Sequence, residues 1–211
     1  MDSFFDTCVI IHYGSFSKLV NNSLIRKCYE YISNKKGNFL LGYYIEEETK
    51  TRIKKRRVIF QEALNKVITS NYEFEKSISF IGLSERDKGS VKKLYEVYKN
   101  TEAVKVKRIF AEDQIIFEMR IERFLKFFVD ERVIRIDEIS KDLLSIIKDN
   151  RYTHADCLVL TSAIQAQEGR KVFQFVVADR HFDPNGYEFL KKDPRLKEKI
   201  FPELKNFIFE S

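Results

Sequence analysis

Cysteine is scarce in this 211-residue chain, and the three present, Cys8, Cys28 and Cys157, are odd in number, widely separated and without any CxxC spacing. A disulfide framework and a thiolate zinc site are thereby excluded, and buried thiols in a reducing compartment are expected. Histidine is equally sparse. His12, His154 and His181 are too scattered for zinc ligation, so a bound cation is expected to be hard and oxygen-ligated. No apolar run approaches the roughly 18 residues of a membrane span, and the N-terminus carries acids instead of a basic leader segment, which points to a cytoplasmic protein with no membrane partner. Three prolines and seven glycines are too few for a flexible linker, and no repeat or low-complexity tract occurs. The length then suits one domain, residues 1–211, carrying an insertion.

Charge is plentiful. Lys and Arg number 38 against 32 Asp and Glu, a net charge of +6 with pI near 9.0. The mean field favours polyanions, though an excess of this size is ordinary for a soluble protein. More telling is where four of the acids fall: Asp6 after Phe4-Phe5, a glutamate in Glu46-Glu47-Glu48, Asp156 in His154-Ala155-Asp156-Cys157, and Asp179 after Val176-Val177-Ala178. Each stands where a strand ends or a helix begins. In a parallel sheet the carboxyl ends of the strands open onto one crevice, so acids distant in sequence can converge there. Converging carboxylates repel one another unless a divalent cation neutralises them, which makes the set a candidate Mg²⁺ or Mn²⁺ site.

Ser3–Thr7 reads as a short apolar strand, and residues 15–33 have helical spacing at Leu19, Leu24, Ile25, Cys28 and Ile32. Phe39–Tyr44 is a nearly continuous apolar run, as in a strand buried on both faces, and a charged helix follows from Glu46 to Ile68. This β-α-β-α order implies a mainly parallel sheet with right-handed crossovers, an α/β class with three-layer α/β/α packing. Residues 70–129 read as an all-helical insertion: Ser84–Tyr98 opens on a capping sequence, and Phe117, Ile121, Phe124 and Phe128 form one stripe. That stripe reads as core, with a homodimer interface as the alternative. Val133–Ile136 is expected as a short strand, residues 139–148 and 154–167 as helices, and Val172–Val177 and Phe207–Phe209 as the closing strands.

Three segments together resemble PIN-domain nucleases. Asp6-Thr7-Cys8-Val9-Ile10-Ile11 is similar to the family's opening Asp-Thr-x-Val-Leu-Ile, Ala155-Asp156-Cys157-Leu158 to its Ala-Asp-Ala-Leu helix start, and Asp179-Arg180-His181-Phe182 to its closing Thr-x-Asp-x-Asp-Phe. The resemblance covers residues 3–50 and 130–211. It implies a PIN-like α/β/α sandwich, a Mg²⁺ or Mn²⁺ cofactor, and endonucleolytic hydrolysis of RNA, with Asp6, Glu48, Asp156 and Asp179 catalytic and Asp6, Asp156 and Asp179 holding metal. Val177 replaces a usual Thr or Ser and His181 a common second Asp. Glu48 is preferred over Glu47 because, counting from Ile45 as the residue that enters the helix, it lies one turn in and close to the buried edge. Lys50, Arg52, Lys54, Lys55, Arg56 and Arg57 follow at once and are the candidate RNA contacts.

Each residue also has a plainer reading. Asp6 and Asp179 could serve local turns, the glutamates the positive end of a helix dipole, Asp156 a cap, and Lys50–Arg57 a solvated face. His154 and His181 read as rim or structural residues. A haloacid-dehalogenase-like phosphatase would need a second Asp where Cys8 stands. The non-enzymatic alternative is an inactive PIN-like module for RNA or protein binding. An antitoxin or an RNA-processing complex would serve as protein partner.

Overall fold

The computed structural model describes residues 1–17, 22–150, 152–170 and 173–210; the helical position expected at Leu19 and the strand start expected at Val172 lie outside them. The chain is α/β, and the described residues form five parallel strands in the order β3-β2-β1-β4-β5: β1 Asp2–Phe5, β2 Phe39–Gly42, β3 Glu131–Val133, β4 Phe173–Val177 and β5 Glu203–Asn206. Every adjacent pair in the sheet is parallel. From β1 the chain builds outward through β2 to β3, then returns to add β4 and β5 on the other side. The order therefore reverses between β1 and β4, and a crevice opens at such a reversal beyond the carboxyl ends of the strands.

Apolar burial holds this sheet. Phe4 and Phe5 project to opposite faces: Phe4 meets Phe173 and Phe175, while Phe5 packs edge-on against Phe39 and Phe124, with the Phe39 centroid 4.7 Å away. All six rings are at least 97 % buried, and burial of each contributes about 1.5–3 kcal/mol. Parallel strands covered on both faces carry such continuous apolar runs.

Several boundaries differ from expectation. Strand β1 ends at Phe5, because Asp6 caps a helix that begins immediately, α1 (Thr7–Gly14). The next helix, α2, spans Ser23–Ser33. Strand β2 ends at Gly42, and Tyr43 and Tyr44 already belong to α3 (Tyr43–Ile68). Strand β3 stops at Val133, since Ile134 adopts a left-handed φ of 55° that an extended strand cannot contain. The closing strand is Glu203–Asn206 instead of Phe207–Phe209. The Asn206 carboxamide accepts from the Ile208 N–H and bends the chain into a turn, while Phe207 is buried beyond the strand.

Contacts divide the chain into two compact units, residues 1–49 with 120–211, and residues 50–119. The first contains the whole sheet together with α7 (Lys141–Asp149), α8 (His154–Gln167) and α9 (Pro184–Lys191). The second is helical. It comprises most of α3, then α4 (Ile78–Ile81), α5 (Glu85–Tyr98) and α6 (Ala103–Arg123) as far as Met119. Its own core gathers Ala63, Leu64, Phe74, Phe80, Leu83, Val91, Val106 and Phe110. The expected cap of α5 is present, with the Ser84 hydroxyl accepting from the Asp87 N–H. Among the described residues, no helix is long and apolar enough to cross a membrane.

Candidate active site

The candidate site is built from the first turn of α1. Asp6 is extended, at φ −81° and ψ 152°, and its carboxylate accepts the Cys8 N–H at 3.1 Å, so one residue both ends β1 and caps the helix. Its own N–H donates to the Val176 carbonyl of β4, which fixes it beside the reversal point. The next two residues reach the other acids. Thr7 Oγ1 donates to Glu48 Oε2 at 2.7 Å, and the Cys8 thiol donates to Asp179 Oδ2 at 3.4 Å. Three consecutive side chains thus connect the ends of β1, β2 and β4.

Asp179 caps a short 3₁₀ turn, Arg180–Phe182, by accepting the His181 N–H at 3.0 Å. Asn206 holds that turn from β5. Its amide donates to the Asp179 carbonyl at 2.7 Å and to the Phe182 carbonyl at 2.9 Å. Asp156 belongs to the first turn of α8, in a reciprocal capping box with Thr153. The Thr153 hydroxyl donates to Asp156 Oδ2 at 2.6 Å, and His181 Nδ1 lies 3.3 Å from the same oxygen and 3.6 Å from Asp179 Oδ1. His181 therefore bridges two of the expected acids, while its ring remains largely exposed at the rim.

Electrostatics mark Asp6 as the centre of the cluster. Burial pushes its carboxyl up to about 7; the Cys8 N–H opposes that rise, and repulsion from Glu48 and then Asp179 adds to it. A carboxylate in this position is costly when ionised without a cation. The Cys8 thiol is driven far above the ordinary thiol range, first by burial and then by Asp6 and Asp179, so it serves as a hydrogen-bond donor and not as a nucleophile.

Asp6, Glu48 and Asp179 share one electrostatic environment, and Asp156 joins them through His181. Of the neighbouring glutamates, Glu46 pairs with Arg132 at 2.6 Å and Glu47 is exposed. Among the described residues, no three His, Cys, Asp or Glu side chains already stand in metal-coordinating geometry. The donor set still suits a hard cation: it is all oxygen, and its most buried member is crowded by like charge. Asp156 is the least prepared, because one of its oxygens serves Thr153 and His181.

The basic run of α3 is largely committed to neighbouring acids in the helical unit. Lys55 pairs with Asp87 and Arg56 with Asp113, and Arg57 forms a two-pronged pair with Glu118. Arg56 also lies between the rings of Phe60 and Phe117. Lys50, Arg52 and Lys54 are exposed on the same helix. Thr7, Cys8 and Asn206 were not expected from the sequence as positioning residues, whereas His181 was expected as a rim or structural residue and lies between Asp156 and Asp179. The signal available for the first two was adjacency to Asp6; for Asn206 there was none short of knowing where β5 ends. Comparison of the chain with protein-family models, with curated proteins and with solved structures finds no match.

Proposed function

We propose that this chain is a PIN-like, divalent-metal-dependent endoribonuclease. The observation that carries the reading is the buried Asp6 carboxyl at the point where strand order reverses, crowded by Glu48 and Asp179. Asp6, Asp156 and Asp179 would hold Mg²⁺ or Mn²⁺, with Glu48 direct or through water. Such a cation, when bound, supplies charge neutralisation at the phosphoryl oxygens and an acidified water. The chain's own residues supply position. Thr7 fixes one oxygen of Glu48, Cys8 one oxygen of Asp179, and Asn206 the backbone from which Asp179 projects. No side-chain nucleophile is required, and the Cys8 thiol is held in its protonated form.

The second reading is a PIN-like module without catalysis. It is favoured by Asp156, whose Oδ2 is engaged by Thr153 and His181. Cleavage of a labelled single-stranded RNA by the wild type, Asp6→Asn and Asp156→Asn in Mn²⁺ and in EDTA separates the two. Cleavage that requires Mn²⁺ and both aspartates is the expected result. Equal products from all three proteins, once contaminating nuclease is excluded, would refute the assignment; intact RNA from all three, with unchanged binding, would favour the inactive module.

A further inference from the structure

The two units differ sharply in charge. Residues 50–119 contain 16 Lys and Arg against ten Asp and Glu, whereas the sheet-bearing unit contains 22 of each. The entire net charge of +6 therefore belongs to the helical unit. Ion pairing does not absorb it. Eight of the ten acids in this unit each hold one of its cations. A ninth, Glu62, is buried and bonded by the hydroxyls of Tyr72 and Ser77.

Of the eight other cations, Lys66 is tied to the Ser70 and Tyr72 carbonyls, and five more stand out. Lys54, Arg86, Lys93, Lys105 and Lys107 are all exposed, and among the described residues none has an acid within ion-pair distance. On α5, Arg86 and Lys93 stand seven residues apart, two helical turns on one face, with the uncrowded Gly89 between them. Two turns rise about 11 Å, a span that can engage successive phosphates of an extended strand. Exposed, uncompensated cations attract polyanions, since each phosphate neutralised releases condensed counterions. Cations already paired with acids contribute little to that release.

We propose that the helical unit is the nucleic-acid-binding element of the chain, and that Lys54, Arg86, Lys93, Lys105 and Lys107 contact the phosphates of a single strand. This assignment rests on the reading that the substrate is RNA, and it moves the main contacts from Lys55, Arg56 and Arg57 to Lys54 of α3 and to the cations of α5 and α6. Binding of fluorescent oligouridylate to the full chain, measured by anisotropy in EDTA across a salt series, tests it without any need for catalysis.

The variant Lys93→Gln/Lys105→Gln/Lys107→Gln removes three charges while keeping helix propensity. Its log-log salt slope is expected to be shallower by about 2, with affinity at about 0.1 M salt lower by on the order of a hundredfold. The control Lys141→Gln/Lys192→Gln/Lys197→Gln removes three exposed charges from the neutral unit and is expected to leave the slope within about half a unit of wild type. An unchanged slope in the first variant, equal losses in both, or no binding by the wild type at low salt overturns the proposal. RNA binding with the expected losses but no Mn²⁺-dependent cleavage would overturn the nuclease reading and leave this one standing.

Discussion

Replacing Asp6 by Asn should stabilise the metal-free protein, and the gain should grow with pH. The folded protein holds the Asp6 proton up to a pH of about 7, whereas the unfolded chain releases it at the ordinary value of 3.8. Between those values the native state binds more protons than the unfolded state, so stability from this group falls as pH rises. It is fully retained below about pH 4 and fully lost above about pH 7. Linkage across the interval from pH 5 to pH 8 amounts to about 2.6 kcal/mol lost by the wild type and by none of it in Asp6→Asn. The amide can still accept the Cys8 N–H, so the cap is kept.

Urea unfolding of both proteins in EDTA at pH 5 and pH 8 measures the difference. The stability gap should widen by about 2–3 kcal/mol, or roughly 4–12 °C in Tm for a chain of this size. Mn²⁺ at 100 times Kd should then close the gap at pH 8, because under the proposed function only the wild type keeps the charge that would hold the cation, and such binding adds about 2.7 kcal/mol. A gap that does not change with pH would refute the argument that Asp6 is buried and crowded in the folded chain.

Two further outcomes follow from the geometry. Gly37→Ala should cost more than about 2 kcal/mol in urea unfolding, since φ is +90° there and an added Cβ would run into the Met1 backbone. Iodoacetamide at pH 8 should label Cys8, Cys28 and Cys157 only slowly in the folded protein, because burial pushes all three thiols up, and all three rapidly in guanidinium; mass spectrometry gives the count, and rapid labelling of native Cys8 would contradict its packing against Asp6 and Asp179.

Strong local signals were readable from the residues alone. Phe39–Gly42 announces a buried strand by its apolar run, Ser84 announces α5 by its cap, and His154–Gln167 is bounded as the pattern indicates. Helix α1 was hidden because Val9, Ile10 and Ile11 are β-branched and favour strands, whereas the Asp6 cap and the packing of α1 decide otherwise. Strand β5 was hidden for the opposite reason. Glu203 and Lys205 give it no apolar run, and pairing with β4 alone makes it a strand. Asp6, Glu48 and Asp179 could be placed at one end of the sheet from parallel topology. The occupation of Asp156 by Thr153 and His181 could not, because the imidazole arrives from a separate turn. Pairing of Lys55, Arg56 and Arg57 with Asp87, Asp113 and Glu118 likewise depends on helices brought together only by folding.

The placement of β1 at the centre of the sheet has a bearing on how the chain comes into being on the ribosome. Cys8 and Asp179 are 171 residues apart, yet their side chains touch. During synthesis Asp6 and Glu48 emerge first, and Asp179 joins them only once β4 has been made. Apolar pairing of β1 with β4, Phe4 against Phe175, is what draws the late acids toward the early ones. A nascent or truncated chain that stops short of β4 therefore has Asp6 and Glu48 but lacks Asp179, and with it part of the like-charge crowding. Contacts of such sequence separation form slowly and late, so the full set of acids assembles only when the sheet is complete.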